Sequence, residues 1–208
     1  MTVDEFAEAA GVSRETLAQL IVYKEFLEET QARLNLVGPA TLPEAWSRHF
    51  FDSAQLLPLI PKTARRVIDL GSGAGFPGLV LAILAPRLEV HLVEGNRHKA
   101  GFLAEVARRT GAARRVTIHA TRIAHATPKL AGSADVVTAR ALAELEELLG
   151  LAAPLLKPEG GIALFPKGAR AEAELTRASK RWKMRAERIP SRSDPSGTVL
   201  RISSLVRK

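Results

Sequence analysis

Short apolar runs alternate with helix-period segments through most of this chain. The runs fall at 66–70, 88–94, 115–119, 134–141 and 162–165, each of a length suited to a buried strand. Between them, Leu79 to Ala85, Arg97 to Thr110 and Glu144 to Leu156 read as helices, with Ala100, Leu103, Ala104 and Ala107 on one face of the second. Such alternation predicts an α/β fold: a mainly parallel sheet with helices on both faces. Upstream, helices are expected over Val3 to Ala10, from Ser13 through Leu34, and over Leu42 to Leu57, the last stopped by Pro58 and Pro61. Downstream, Ala169 to Trp182 reads as a helix. Met184 to Ile189 and Thr198 to Val206 alternate as two strands, with Asp194-Pro195-Ser196-Gly197 in the turn between them. The pattern divides the chain into an N-terminal helical extension, residues 1–60, packed on a core, residues 61–208.

One junction carries chemistry. Arg66-Val67-Ile68-Asp69-Leu70 runs into Gly71-Ser72-Gly73-Ala74-Gly75-Phe76-Pro77-Gly78. Glycine leaves backbone bare for a ligand, and amides opening a helix favour an anion. Two readings compete. Gly73-x-Gly75-x-x-Gly78 matches a dinucleotide fingerprint. Asp69-x-Gly71-x-Gly73-x-Gly75 matches the S-adenosylmethionine loop of Rossmann-like methyltransferases, and this reading is favoured. A carboxylate at Asp69 attracts the ammonium of a methionine moiety, directly or through water, but is out of place beside a pyrophosphate. Glu94 ends the following strand, roughly 20 residues beyond the loop, where an acid accepts hydrogen bonds from ribose hydroxyls. Asp69, Gly71, Gly73, Gly75 and Glu94 are therefore candidate cofactor contacts. Ile123 and Ala124, just beyond the third strand, stand at the height of an adenine ring. Arg140 and Lys167 follow the fourth and fifth strands, at the sheet edge that faces the ligand crevice in open α/β folds. They are the candidate catalytic groups.

Composition narrows the class. The 208 residues are 46% hydrophobic and 25% charged, as in a globular chain, and contain no cysteine. Disulfides, thiolate metal sites and cysteine nucleophiles are excluded, and no metal site is expected. The acidic start Met1-Thr2-Val3-Asp4-Glu5 is not a signal peptide, and no apolar run has membrane-spanning length. A cytoplasmic location without membrane attachment is expected. The formal charge of +8 favours a polyanionic partner. Aromatics at 5% argue against a broad base-stacking platform. Lys180, Arg181, Lys183, Arg185, Arg188 and Arg192 form a basic stretch that reads as either a solvated face or a phosphate-contacting one.

A pair of strands after the last helix suits the methyltransferase version of the fold, in which the last strand inserts antiparallel. Lack of cysteine excludes pyrimidine C5 methylation by covalent catalysis. Thr138-Ala139-Arg140-Ala141 stands where exocyclic-amine methylases carry an Asn/Asp-Pro-Pro-aromatic motif. A ring nitrogen with a free lone pair remains, guanine N7 above all. It needs alignment rather than a general base.

Asn35-Leu36-Val37, Arg48-His49-x-x-Asp52-Ser53, Ile68 through Gly78, Glu94-x-Asn96-x-x-Lys99-x-x-Phe102-Leu103, Thr138 through Ala141 and Lys167-Gly168 together resemble the glucose-inhibited division protein B family of bacterial small-subunit ribosomal RNA guanine-N7 methyltransferases. The resemblance implies S-adenosylmethionine as donor and one guanine in the 530 loop of 16S ribosomal RNA as acceptor, free or within the 30S subunit. A monomer is expected. The resemblance implies that Gly71 and Phe76 contact the cofactor, that Ile123 and Ala124 lie along its adenine, and that Arg140 sits by cofactor and target base. It raises His49 and Asp52 above a helix-face reading; with Arg48, Lys167 and Arg192 they are the candidate RNA contacts, although the tail beyond Gly168 matches the family only loosely. The family usually has an acid where this chain has Ala124, and often a small polar residue where it has Gly95. An NAD(P)-dependent oxidoreductase and a non-catalytic RNA-binding protein of the same fold are the alternatives.

Overall fold

A computed structural model describes residues 1–208. One seven-stranded sheet runs through it: β1 (Arg66–Leu70), β2 (Glu89–Val93), β3 (Val116–His119), β4 (Val136–Ala139), β5 (Ile162–Lys167), β6 (Trp182–Pro190) and β7 (Thr198–Arg207). Their spatial order is β3-β2-β1-β4-β5-β7-β6. The first five are mutually parallel, and β7 inserts antiparallel between β5 and β6. The order reverses between β1 and β4, so their carboxyl ends open a crevice where ligands bind in such sheets. No helix is long and apolar enough to cross a membrane.

The helices are α1 (Val3–Ala10), α2 (Arg14–Leu34), α3 (Asp52–Ala54), α4 (Gly78–Leu84), α5 (Arg97–Arg109), α6 (Ile123–Leu130), α7 (Leu145–Ala152) and α8 (Ala171–Ala178). Ser13 caps α2, its hydroxyl accepting the Thr16 amide, and Asn96 caps α5 through the amides of His98 and Lys99. Two apolar clusters flank the sheet. One joins α1, α2 and residues 36–60 to α4, α5 and the facing sides of β1 and β2. The other lies under α6, α7 and α8. Phe6, Leu20, Tyr23, Leu27 and Phe50 of the N-terminal segment are fully buried.

The helix expected over Leu42 to Leu57 is not continuous. Residues Pro39–Thr41 and Leu57–Leu59 make single 3-10 turns, and Trp46–Phe51 winds as a π-helix into α3. Trp46, His49, Phe50 and Phe51 are all buried. Three consecutive residues spread over about 200° of an α-helix; a wider turn narrows that spread and brings all four side chains inward. Helices α1 and α2 end where expected, at Ala10 and Leu34, whereas α4, α5, α7 and α8 end earlier, α8 at Ala178 rather than Trp182. Trp182 instead opens β6. α6 is unannounced by the pattern because Pro128 lies inside it.

Candidate functional site

The glycines of the loop are not interchangeable. Gly71, Gly73 and Gly75 all have positive φ, where side chains are strained. A Cβ on Gly75 would stand 2.5 Å from the Tyr23 hydroxyl, and one on Gly78 would stand 2.5 Å from Leu92 and 2.7 Å from the Asp69 Cβ. These two glycines let α2 and the sheet close against the loop. A Cβ on Gly73 would meet nothing nearer than the Gly71 carbonyl at 3.8 Å. Gly73 is thus the bare face turned toward open space.

Asp69 is placed differently from the expectation. It is fully buried. Its Oδ1 accepts the Thr138 hydroxyl at 2.7 Å and its Oδ2 accepts the Gly78 amide at 3.3 Å. The carboxylate lies beneath the loop, so the expected direct contact with a ligand ammonium is not made. Both oxygens serve the protein, tying β1 to β4 and to the start of α4. This also bears on the dinucleotide reading. The helix N-terminus that would receive a pyrophosphate is already occupied by the chain's own anion. Burial is the main reason the Asp69 carboxyl is pushed up to about 6, against the opposing hydrogen bonds from Thr138, Ser72 and Gly78.

Glu94 remains at the mouth. Its Oε2 accepts the Gly73 amide and its Oε1 the Asn96 amide, both at 2.8 Å. Each oxygen keeps a second lone pair. Gly71, Gly73, Phe76, Glu94, Ile123 and Arg140 line a cavity of 630 Å³ at the carboxyl edge of the sheet, within the range of small-molecule sites. Ala124 is exposed on the first turn of α6 and lies outside that lining.

Phe76 anchors a stack reaching from the N-terminal segment to Arg140. The Tyr23 ring lies parallel to Phe76 at 5.3 Å between centroids, the His49 ring at 5.1 Å, and the Arg140 guanidinium carbon 5.3 Å from the Phe76 centroid. The Tyr23 hydroxyl donates to the Ala74 carbonyl. Tyr23 and Thr138 are the supports that sequence reasoning missed. Tyr23 carries a usable signal. It is the sole tyrosine, set on an apolar stripe with Leu20 and Leu27, and a buried hydroxyl there needs a partner.

Arg140 leaves β4 into the loop where Ala141 has φ 51°. Its Nη1 donates to the Arg48 carbonyl at 2.9 Å and to Asp52 Oδ2 at 3.4 Å, and its Nη2 lies 3.0 Å from His49 Nδ1. A guanidinium only donates, so Nδ1 is the acceptor and Nε2 carries the ring proton. Nε2 lies 2.9 Å from the Thr41 hydroxyl, which itself donates to the Gly38 carbonyl. His49 is therefore neutral, with both nitrogens engaged. Burial and then the Arg140 and Arg48 charges push it down to about 4. Of the residues expected together, Arg48, His49, Asp52 and Arg140 do converge.

A second cavity, of 670 Å³, adjoins the first, and Arg140, Ala141 and Leu142 line both. Arg48, Lys167 and Arg170 bring positive charge to it, and Ser191, Ser193 and Asp194 reach it from the β6–β7 turn. Lys167 is an anchored group rather than a free one. Its Nζ is 2.7 Å from buried Glu174 and donates to the Ala143 carbonyl at 3.0 Å, while Glu174 accepts the Leu145 amide at 2.8 Å. The pair pins the 140–145 loop at two points. Arg192 stands apart from both cavities; it donates to the Ala9 carbonyl at 3.3 Å and lies over Phe51.

Comparison with known proteins agrees with this architecture. An O-methyltransferase from Bacillus cereus, solved in complex with SAH, superposes with a TM-score of 0.60 at 14% identity, covering 88% of this chain and 91% of that one. The O-methyltransferase TomG from Streptomyces achromogenes, solved with SAM, gives 0.58 at 16%, covering 88% of each. At such identities the likeness is one of fold. The ribosomal RNA small subunit methyltransferase G of Rhodospirillum centenum is 55% identical over 97% of this chain and 90% of its own length. Its namesake from Paramagnetospirillum magneticum is 53% identical over 100% and 98%. The family model described as rRNA small subunit methyltransferase G (GidB) matches residues 16–195. With the loop, the crevice and the paired cavities in place, the chain belongs to the rRNA small subunit methyltransferase G family.

Proposed function

We propose that this protein transfers a methyl group from S-adenosylmethionine to N7 of a guanine in the 530 loop of 16S ribosomal RNA. The observation that carries the reading is the pair of cavities meeting at Arg140, one walled by the glycine loop and Glu94, the other by cationic side chains. The residues present suit the cofactor. Gly73 leaves its face bare, the free lone pairs of Glu94 suit ribose hydroxyls, and Ile123 offers an apolar wall to a purine. When bound, S-adenosylmethionine supplies a methyl group on a positively charged sulfur, to which a nitrogen lone pair bonds without first losing a proton.

The chain's own groups orient the acceptor. Arg140 is held rigid by the Arg48 carbonyl, Asp52 and His49, so its position at the junction is set before RNA arrives. Lys167 and Glu174 fix the loop that carries Leu142 along the divide. His49 has no free nitrogen to take a proton, in keeping with chemistry that requires no general base. Arg48 and Arg170 supply charge for the phosphates that accompany the base.

N7-methylguanine mapping in 16S ribosomal RNA tests this. A strain lacking the protein should lose one such base in the 530 loop, and purified protein with S-adenosylmethionine should restore it. Arg140→Ala should restore it on the order of 100-fold more slowly, as expected when a positioning contact is lost. An unchanged map in the deletion strain overturns the proposed acceptor.

A further inference from the structure

Gln55 lies on neither cavity lining, yet it is a buried polar side chain, 6% exposed, with both ends of its amide in use. Its Nε2 donates to Asp52 Oδ1 at 2.8 Å and stands 3.0 Å from the Ser193 hydroxyl and 3.2 Å from that of Ser191. Its Oε1 accepts the Arg192 amide at 2.7 Å. A carboxylate on one side and an amide N–H on the other fix which end is nitrogen. The Ser193 hydroxyl also donates to Asp52 Oδ1, at 2.6 Å. The other oxygen of Asp52 is the one that receives Arg140.

This is an unbroken chain of contacts. The β6–β7 turn, remote in sequence by about 140 residues, is fastened to residues 52–55. From there Asp52 reaches Arg140 at the divide between the cavities. Ser191, Ser193 and Asp194 of that turn face the second cavity. Gln55 is the only side chain bonded at once to Asp52 and to the turn backbone.

We propose that Gln55 is a positioning residue for methyl transfer. It clamps the β6–β7 turn against Asp52, and so shapes the acceptor wall and aims Arg140 together. The inference rests on the reading that the second cavity receives the acceptor. Gln55 touches neither cofactor nor base; it acts through Asp52, Ser191 and Ser193.

Two variants test it in the full-length protein, with S-adenosylmethionine and 30S subunits from a strain lacking the enzyme. Gln55→Leu keeps the bulk but removes every bond. KM for the acceptor should rise about tenfold, the size expected when a buried polar set is left unpaired, while calorimetric affinity for S-adenosylhomocysteine stays within about twofold of wild type. A purely structural role would instead lower kcat with the folded fraction and leave KM unchanged. Gln55→Glu supplies a second readout that does not depend on Gln55→Leu folding. Its carboxylate would face Asp52 and could not donate, whereas its protonated form could. Its activity relative to wild type should therefore climb as pH falls from about 8 to about 6, because a neighbouring carboxylate raises the pKa of the new acid. An unchanged acceptor KM in Gln55→Leu, or a flat activity ratio in Gln55→Glu, overturns the clamp. If wild type itself methylates neither 30S subunits nor naked 16S RNA, it is the acceptor assignment that fails instead.

Discussion

Asp69 and His49 answer acid in opposite directions. The folded chain protonates Asp69 near 6, against 3.8 for the free side chain. Its contribution to stability is full below the lower value and disappears as pH rises through about 6. His49 is the reverse. It protonates near 4 in the fold and near 6.5 outside it, so its contribution is present above 6.5 and is lost as pH falls toward about 4. His91 and His119, 2.9 Å apart on neighbouring strands, are both depressed mainly by burial and add to the loss in acid. Asp69→Asn tests the balance. An amide at this position can still accept from Gly78 and can donate to the Thr138 hydroxyl. The variant should fold, but its melting temperature should fall more steeply than wild type between about pH 6 and about pH 4, because the opposing group is gone. Parallel curves would contradict this. At this scale the sequence singled out Asp69 as a ligand contact, and the structure puts it to another use. A carboxylate before a glycine loop reads as a ligand contact, and only the register of β1 against β4, which sets Thr138 beside Asp69, shows that it faces inward.

Apart from α6, interrupted by Pro128, the elements of the core were readable because the parallel strands are short apolar runs and the helices keep their period. The 42–57 stretch was not. Its aromatics are spaced for a helix, but burying Trp46 together with three consecutive residues demands a wider turn. Neither could α2 be read as part of the site, since its period reports a buried face and not what that face touches. The structure sets Tyr23 of α2 directly under the glycine loop. Tyr23→Phe keeps the stack on Phe76 but leaves the Ala74 carbonyl without its donor. Stability should drop by about 1–2 kcal/mol. Affinity for S-adenosylhomocysteine should weaken several-fold, as calorimetry would show, because the loop loses a fixed point on its floor. Unaltered affinity would make α2 a packing element only.

For the whole molecule, a charge of +8 foretells a polyanionic partner but not the face that meets it. Half of the C-terminal basic stretch is paired in place: Arg181 with Glu146, Arg185 with Glu187 and Arg188 with Glu172. These arginines lie on β6 and just before it, along a sheet edge, where charge discourages strand-to-strand association. Lys99 and Arg122, on the glycine-loop cavity, and Arg170, on the second one, have no carboxylate partner. Replacing Arg181, Arg185 and Arg188 together by glutamine should change the slope of log affinity for 16S RNA against log salt by less than about one unit. Exposed pairs of this kind contribute little, so the melting temperature should barely move. A slope reduced by two or more would place RNA on this edge.

The hydroxyl of Tyr23 and the carbonyl of Ala74 are separated by 51 residues of chain. A nascent polypeptide exposes the tyrosine well before its partner has been synthesised. The pocket at the glycine loop is therefore completed late, when a helix made early finds a loop made afterwards. Ligand capture then reports that the two ends of this span have met, and a fragment starting downstream of Tyr23 would keep its glycines yet lack the floor they rest on.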